Sequence, residues 1–136
     1  MKKAKILIVE DQNIVALNIR NKLINLGYTV PGTASTVEEA IRKAKLTNAD
    51  LVLMDIMLKG DRDGIEAARE IKQQLKIPVL YLTAYTDDET LARAKTTEPA
   101  GYISKPFKEE DLHISIEMAL HKQRIEREEI DNLVDN

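Results

Sequence analysis

Three apolar runs punctuate the chain: Ile6-Leu7-Ile8-Val9, Leu51-Val52-Leu53-Met54 and Val79-Leu80-Tyr81-Leu82. They are too short for helices and too continuous for strands with one wet face, so they read as parallel strands covered on both sides. Gly101-Tyr102-Ile103-Ser104 is a shorter run of the same kind, and Tyr28-Thr29-Val30 is another. Pro31-Gly32 follows Val30 at once, and proline is confined to the edges of sheets, so the Tyr28–Val30 strand is expected at an edge.

Helical patterns with recognisable starts lie between the strands. From Asn13 to Leu26 the residues Ile14, Leu17, Leu23 and Leu26 fall in helical spacing, and Gly27 acts as a stop. Ser35 or Thr36 can cap a second helix through Ala40, Ile41 and Ala44, with Glu38 or Glu39 completing a capping box. Asp63 caps a third, with Ile65, Ala68, Ile71 and Leu75 inward and Pro78 just beyond its end. Asp87 opens a fourth that has only Leu91, Ala92 and Ala94 to bury, and a fifth starts after Pro106-Phe107 and runs through Leu112, Ile116, Ala119 and Leu120. Strands alternating with helices, each right-handed crossover lying back on one face, predict an α/β fold: a doubly wound parallel sheet of five strands with five helices. The compact unit is expected over 1–122. Residues 123–136, mostly charged with Ile125, Ile130, Leu133 and Val134 widely spaced, are expected to extend the last helix, helped by the charge pairs Lys122 with Glu126 and Arg124 with Glu128.

A chain of 136 residues can bury roughly 70% of its unfolded surface in one core. Cysteine is absent, which removes disulfides and thiolate metal sites and suggests a reducing compartment, the cytoplasm. No apolar run approaches the roughly 20 residues of a membrane span. The net charge is −3 with acids and bases interspersed, so the basic footprint of a nucleic-acid binder is missing and proteins are the expected partners.

Chemistry in open α/β sheets sits outside the carboxyl ends of the strands, where strand order reverses. The first run ends in Glu10-Asp11, the third in Asp55, the fourth in Thr83-Ala84, and the fifth leads into Lys105-Pro106. Crowded carboxylates repel and push a pKa upward unless a cation intervenes. With no His or Cys in the group, a hard divalent ion such as Mg²⁺ (or Mn²⁺) suits Glu10, Asp11 and Asp55. Asp55, closing a central strand, is the candidate nucleophile toward a phosphoryl group, with Lys105 and Thr83 placed to cover phosphoryl oxygens. Asp61 and Asp63 read as a turn residue and a helix cap, and His113 and His121 as surface residues of the last helix.

These segments, taken in order with Asp63-Gly64-Ile65-Glu66 and Tyr102-Ile103-Ser104-Lys105-Pro106-Phe107, closely resemble the receiver domains of bacterial and archaeal two-component response regulators over residues 4–122. The resemblance implies a strand order of 2-1-3-4-5 and a phosphorylation-dependent signalling switch. Asp55 would be the phosphoacceptor, with Glu10, Asp11 and the Met57 carbonyl in the metal site and Lys105 on the phosphoryl group, often beside a cis bond to Pro106. Thr83 and Tyr102 would form the switch pair, altering partner affinity through the fourth helix, fifth strand and fifth helix. It implies a sensor histidine kinase or phosphotransfer protein as donor, a downstream protein target or output domain, and homodimers through the fourth and fifth helices as one option. Such a domain is no enzyme beyond its own phosphoryl transfer and slow dephosphorylation.

The chain departs from the family pattern between Met57 and Gly64, where a common proline is missing and the loop is one residue longer. Met57 and Tyr85 occupy the two positions that often tune acyl-phosphate lifetime, and neither side chain activates water, so slow self-dephosphorylation is expected. A haloacid-dehalogenase-type phosphohydrolase would need a second aspartate where Met57 stands. A flavodoxin-like cofactor binder would need a Gly, Ser or Thr loop where Glu10-Asp11-Gln12-Asn13 stands. A DNA-binding regulator or hybrid kinase would require the chain to be a receiver fragment, since no helix-turn-helix fits after residue 122.

Overall fold

The computed structural model describes residues 4–58, 62–84 and 87–135, with side chains to residue 133. In chain order the elements are β1 (Ile6–Val9), α1 (Asn13–Asn25), β2 (Thr33–Ala34), α2 (Val37–Thr47), β3 (Leu51–Asp55), α3 (Gly64–Leu75), β4 (Val79–Thr83), α4 (Asp88–Lys95), β5 (Gly101–Ser104) and α5 (Glu109–Asp135). Among the described residues the five strands form one parallel sheet in the order β2-β1-β3-β4-β5. This is the doubly wound α/β fold that the alternation of patterns predicts.

The continuous runs are buried on both faces because successive strand residues point to opposite sides. Leu7, Val9, Val52, Met54, Val79 and Tyr81 pack with Val37, Ala40, Ala44, Ile65, Ala68 and Ile71 of α2 and α3. Ile6, Ile8, Leu51, Leu53, Leu80 and Leu82 pack on the other side with Ile19 and Leu23 of α1 and Leu112 and Ile116 of α5. Helix starts follow the expected caps: Thr36 accepts from the Glu39 N–H at 3.2 Å, Asp63 from Glu66 at 3.1 Å and Asp87 from Thr90 at 2.7 Å.

Three expectations need correction. The edge strand is Thr33–Ala34, paired with Ile8 and Val9, whereas Tyr28–Val30 contributes only an isolated bridge between Thr29 and Lys5. Pro31 has no N–H to give to a ladder, so pairing begins at Thr29 and resumes only beyond Gly32. In α1 the buried residues are Ala16, Ile19 and Leu23, while Leu17 is exposed and Ile14 is 84% exposed. Nine residues at about 100° each carry Ile14 to the side of the helix opposite Leu23, so the two could not share one buried face. Helix α5 continues to Asp135 over 27 residues, a rod of about 40 Å. Along it, among the described residues, neither Lys122 with Glu126 nor Arg124 with Glu128 closes to an ion pair. Instead Arg124 approaches His121 at 3.4 Å.

Candidate functional site

Parallel strands all point their carboxyl ends to one rim, and the polar residues that end β1, β3, β4 and β5 meet there. Glu10 follows β1 directly, its N–H bonded to the Ala34 carbonyl at 2.9 Å. Asp55 is the last residue of β3. Glu10 is 3% exposed and Asp55 7%, so both carboxyl groups are withdrawn from water. One carboxylate oxygen from each of Glu10, Asp11 and Asp55 lies within 4.8 Å of the other two.

Lys105 reaches this group from the end of β5. Its Nζ lies 3.0 Å from Asp55 Oδ2 and 3.2 Å from Glu10 Oε1. Its backbone N–H bonds to the Thr83 carbonyl at 2.6 Å, and its peptide bond to Pro106 is cis. The second Asp55 oxygen, Oδ1, accepts the Met57 N–H at 3.0 Å. Glu10 Oε2 accepts the Gln12 N–H at 3.2 Å.

The electrostatics follow from this crowding. Burial, and after it the contacts with Asp55 and Asp11, push the Glu10 carboxyl from 4.5 up to about 7. Burial alone would lower Lys105, but the Asp55 and Glu10 carboxylates outweigh it and hold the ammonium above its ordinary value. Among the described residues the Lys105 ammonium is shared by Asp55 and Glu10, with Asp11 beside them. A donor set of carboxylates without imidazole or thiolate fits a hard divalent cation.

The site residues expected from the sequence are therefore brought together in part. Glu10, Asp11, Asp55 and Lys105 form one cluster, with Met57 attached through its backbone. Thr83 ends β4 on the same rim, where its hydroxyl donates to the Ala84 carbonyl at 3.4 Å. Tyr102 stands farther off, 39% exposed, its ring 5.8 Å from that of Tyr81. Asp63 is the cap of α3 and also pairs with Arg93 of α4 at 3.0 Å. Asp61 and Tyr85 lie outside the described residues. His113 and His121 are exposed, the former edge-on to the Tyr28 ring at 6.3 Å.

Two contributors carry no side-chain signal in a sequence. The Met57 N–H is one, since any residue there would supply it. Gly64 is the other: a Cβ built on it would stand 2.0 Å from the Asp55 carbonyl oxygen, so only glycine lets α3 begin against the end of β3. The Asp-Gly pair was visible as a motif, but its reason is this contact. Tyr81 is a third residue not singled out for a role. It is fully buried, with its hydroxyl 2.7 Å from Thr97 Oγ1, as a tyrosine inside an apolar run requires.

An acid-lined rim joined to a lysine thus lies at the carboxyl ends of a 2-1-3-4-5 sheet. The sequence model described as the response regulator receiver domain matches residues 6–117, and the chain belongs to that family, the receiver domains of two-component systems. The chain is 35% identical over 120 residues to the transcriptional regulatory protein PdtaR of Mycobacterium tuberculosis, covering 88% of this chain and 58% of that protein. It is 32% identical to the phyllosphere-induced regulator PhyR of Methylorubrum extorquens, covering 90% and 46%. The chain thus spans about half the length of these curated relatives. Among solved structures it resembles the signal receiver domain of a modulated diguanylate cyclase from Desulfovibrio desulfuricans G20, at 42% identity and TM-score 0.88, covering 92% and 99% of the two chains. No helix among the described residues is long and apolar enough to cross a membrane.

Proposed function

We propose that this chain is the phosphorylation-controlled switch of a two-component phosphorelay, taking a phosphoryl group onto Asp55 from a sensor histidine kinase or phosphotransfer protein. The observation that carries the reading is the cluster itself: Asp55 buried at a strand end, paired with Lys105 at 3.0 Å, and within 4.8 Å of Glu10 and Asp11. An Asp55 oxygen attacks phosphorus in line. A P–O bond forms as the P–N bond of the donor phosphohistidine breaks, and the imidazole leaves with the electron pair. Lys105 exchanges its contact with Asp55 for one with a phosphoryl oxygen, and the Thr83 hydroxyl turns from the Ala84 carbonyl to another. Glu10, Asp11, Asp55 and the Met57 carbonyl would hold Mg²⁺, whose chemistry is neutralisation of phosphoryl charge.

The movement of Thr83 opens space for the Tyr102 ring to turn inward from its exposed position. The face of α4, β5 and α5 then changes its affinity for a protein partner, by no more than its resting population allows. Residues 1–122 act as the receiver unit and 123–136 as an extension of α5, in a cytoplasmic setting that the cysteine-free composition suits.

Incubation with Mg²⁺ and acetyl phosphate, read by intact mass, tests the chemistry. One phosphoryl adduct is expected, lost without Mg²⁺ and lost in Asp55→Asn; an adduct of equal yield in that variant sinks the assignment. The exposed Met57 side chain offers no base to activate water, so the acyl phosphate is expected to persist well beyond seconds. Complete decay within seconds, followed by the same mass measurement, would contradict this.

A further inference from the structure

Helix α4 is fastened at its carboxyl end. Between Asp88 and Ala92 no residue is buried, and among the described residues no hydrogen bond or ion pair ties that stretch to another element. The other half differs. Ala94 is fully buried and Arg93 pairs with Asp63 at 3.0 Å. Just past the helix, Thr96 accepts from Arg69 at 3.1 Å and Glu98 meets Lys72 through its carboxylate at 3.2 Å and its carbonyl at 2.7 Å. These contacts are exposed and contribute little each. Thr97 and Glu98 lie at the end of the molecule opposite Asp55, where they line a groove of about 960 Å³ with Val79 and Ala100 beside the starts of β4 and β5, Lys76 at the end of α3 and Lys122 of α5.

The strongest fastening is buried. Thr97 Oγ1 stands 2.7 Å from the Tyr81 hydroxyl and donates its one hydrogen to the Ala94 carbonyl at 2.6 Å, so Tyr81 is the donor to Thr97. Both residues are withdrawn from water, and no solvent competes for the bond. Tyr81 also faces Tyr102. The two are partners in the β4–β5 register, which puts their side chains on one face of the sheet, and their ring centres are 5.8 Å apart. Thr83, two residues on from Tyr81 along β4, shares that face.

We propose that Tyr81 is a positioning residue of the switch: a fixed bearing between Tyr102 and Thr97 that makes α4 a lever hinged at its carboxyl end. This rests on the reading of Thr83 and Tyr102 as the switch pair. When the Tyr102 ring turns, Tyr81 does not follow, because its ring is sealed in the core and its hydroxyl is held by Thr97. Thr97 therefore stays on the sheet, and the unfastened half from Asp88 to Ala92, which follows the carboxyl end of β4, swings about it.

Backbone amide NMR on the whole chain, with and without Mg²⁺ and beryllium fluoride as a stand-in for the phosphoryl group, tests this. The Met57 amide, bonded to Asp55, reports occupancy of the site. In the wild type Met57 and Asp88–Ala92 are expected to shift while Thr96, Thr97 and Glu98 keep their resting positions. Tyr81→Phe keeps the ring and leaves Thr97 its bond to Ala94, so the fold is retained. In that variant the Thr97 and Glu98 amides should exchange with solvent about fivefold faster at rest, and the shifts on beryllium fluoride should run on through Glu98. Wild-type shifts at Thr96–Glu98 as large as those at Asp88–Ala92, with Met57 responding, overturn the lever and leave the phosphoacceptor reading standing. A Tyr81→Phe variant with the wild-type exchange and shift pattern overturns it too. No response at Met57 in the wild type overturns the phosphoacceptor reading and the lever together.

Discussion

At the carboxyl ends of the strands Glu10 and Asp55 are almost sealed from water and meet a lysine from residue 105. At the amino ends, charge lies along one helix and one helix terminus and stays in solvent. The first arrangement draws on β1, β3 and β5, so it exists only when the sheet is complete, and its low dielectric strengthens every contact. The second is spread over α5 and the end of α3 on the surface and is screened by salt within about 8 Å. Buried charge of the first kind suits chemistry at a fixed atom. Exposed charge of the second kind suits reversible association. Changes at the rim should therefore be costly and insensitive to salt, and changes at the base should be small and salt-dependent.

The largest expected effect is at the rim and involves no charge. Gly64→Ala places a methyl group 2.0 Å from the Asp55 carbonyl oxygen, and both partners are backbone, so α3 or the end of β3 must shift. A loss of about 3 kcal/mol is expected from overpacking of this severity, measured by urea denaturation, together with slower adduct formation on Asp55. Wild-type stability in this variant would show that α3 or the end of β3 shifts at little cost, and that the rim is softer than its burial suggests.

How legible each part was depends on where its signal lies. β1 and β3 are bounded apolar runs that lead into Glu10-Asp11 and end in Asp55, and β4 ends in Thr83, so strand and candidate chemistry are read together. β2 is two residues long and has no pattern to display, and its neighbour Tyr28–Val30 looked more like a strand than it is. In α1, spacing alone admitted Ile14 and Leu17, because a short helix with apolar residues on several sides does not declare which one the sheet covers. The donors that hold Asp55 in place are backbone groups, and a sequence does not show them. The groove at the base was equally hidden: Lys76 ends α3 on one face of the sheet and Lys122 lies on α5 of the other, and the two line one groove only around the amino ends of β4 and β5.

A smaller effect is expected from pH. The Glu10 carboxyl is pushed from 4.5 to about 7, so between those values the folded protein holds a proton that the unfolded chain releases. Stability from this group is thus full below about 4.5 and is lost as pH rises through about 7. The metal-free protein should melt a few degrees lower on the alkaline side of this window than within it, and Glu10→Gln should flatten that slope. Mg²⁺ should raise the melting temperature more on the alkaline side, where it does not compete with a proton. Parallel melting curves for wild type and Glu10→Gln would mean that Lys105 already compensates the buried charge.

The smallest effect belongs to the base. Lys72 lies 3.2 Å from the Glu98 carboxylate, both side chains well exposed, and also donates to the Glu98 carbonyl at 2.7 Å. Exposed pairs of this kind contribute about 0.2–1 kcal/mol, and replacing the ammonium by a thioether of similar length removes the charge while keeping the stem. Lys72→Met should therefore cost no more than about 1 kcal/mol at low salt, and the difference from wild type should close as salt is added, except for whatever the carbonyl contact retains. Chemical denaturation by urea, which leaves ionic strength unchanged, measures it. A cost comparable to that of Gly64→Ala, and constant with salt, would mean that the base holds its charges as tightly as the rim does, and the contrast between the two ends would fail.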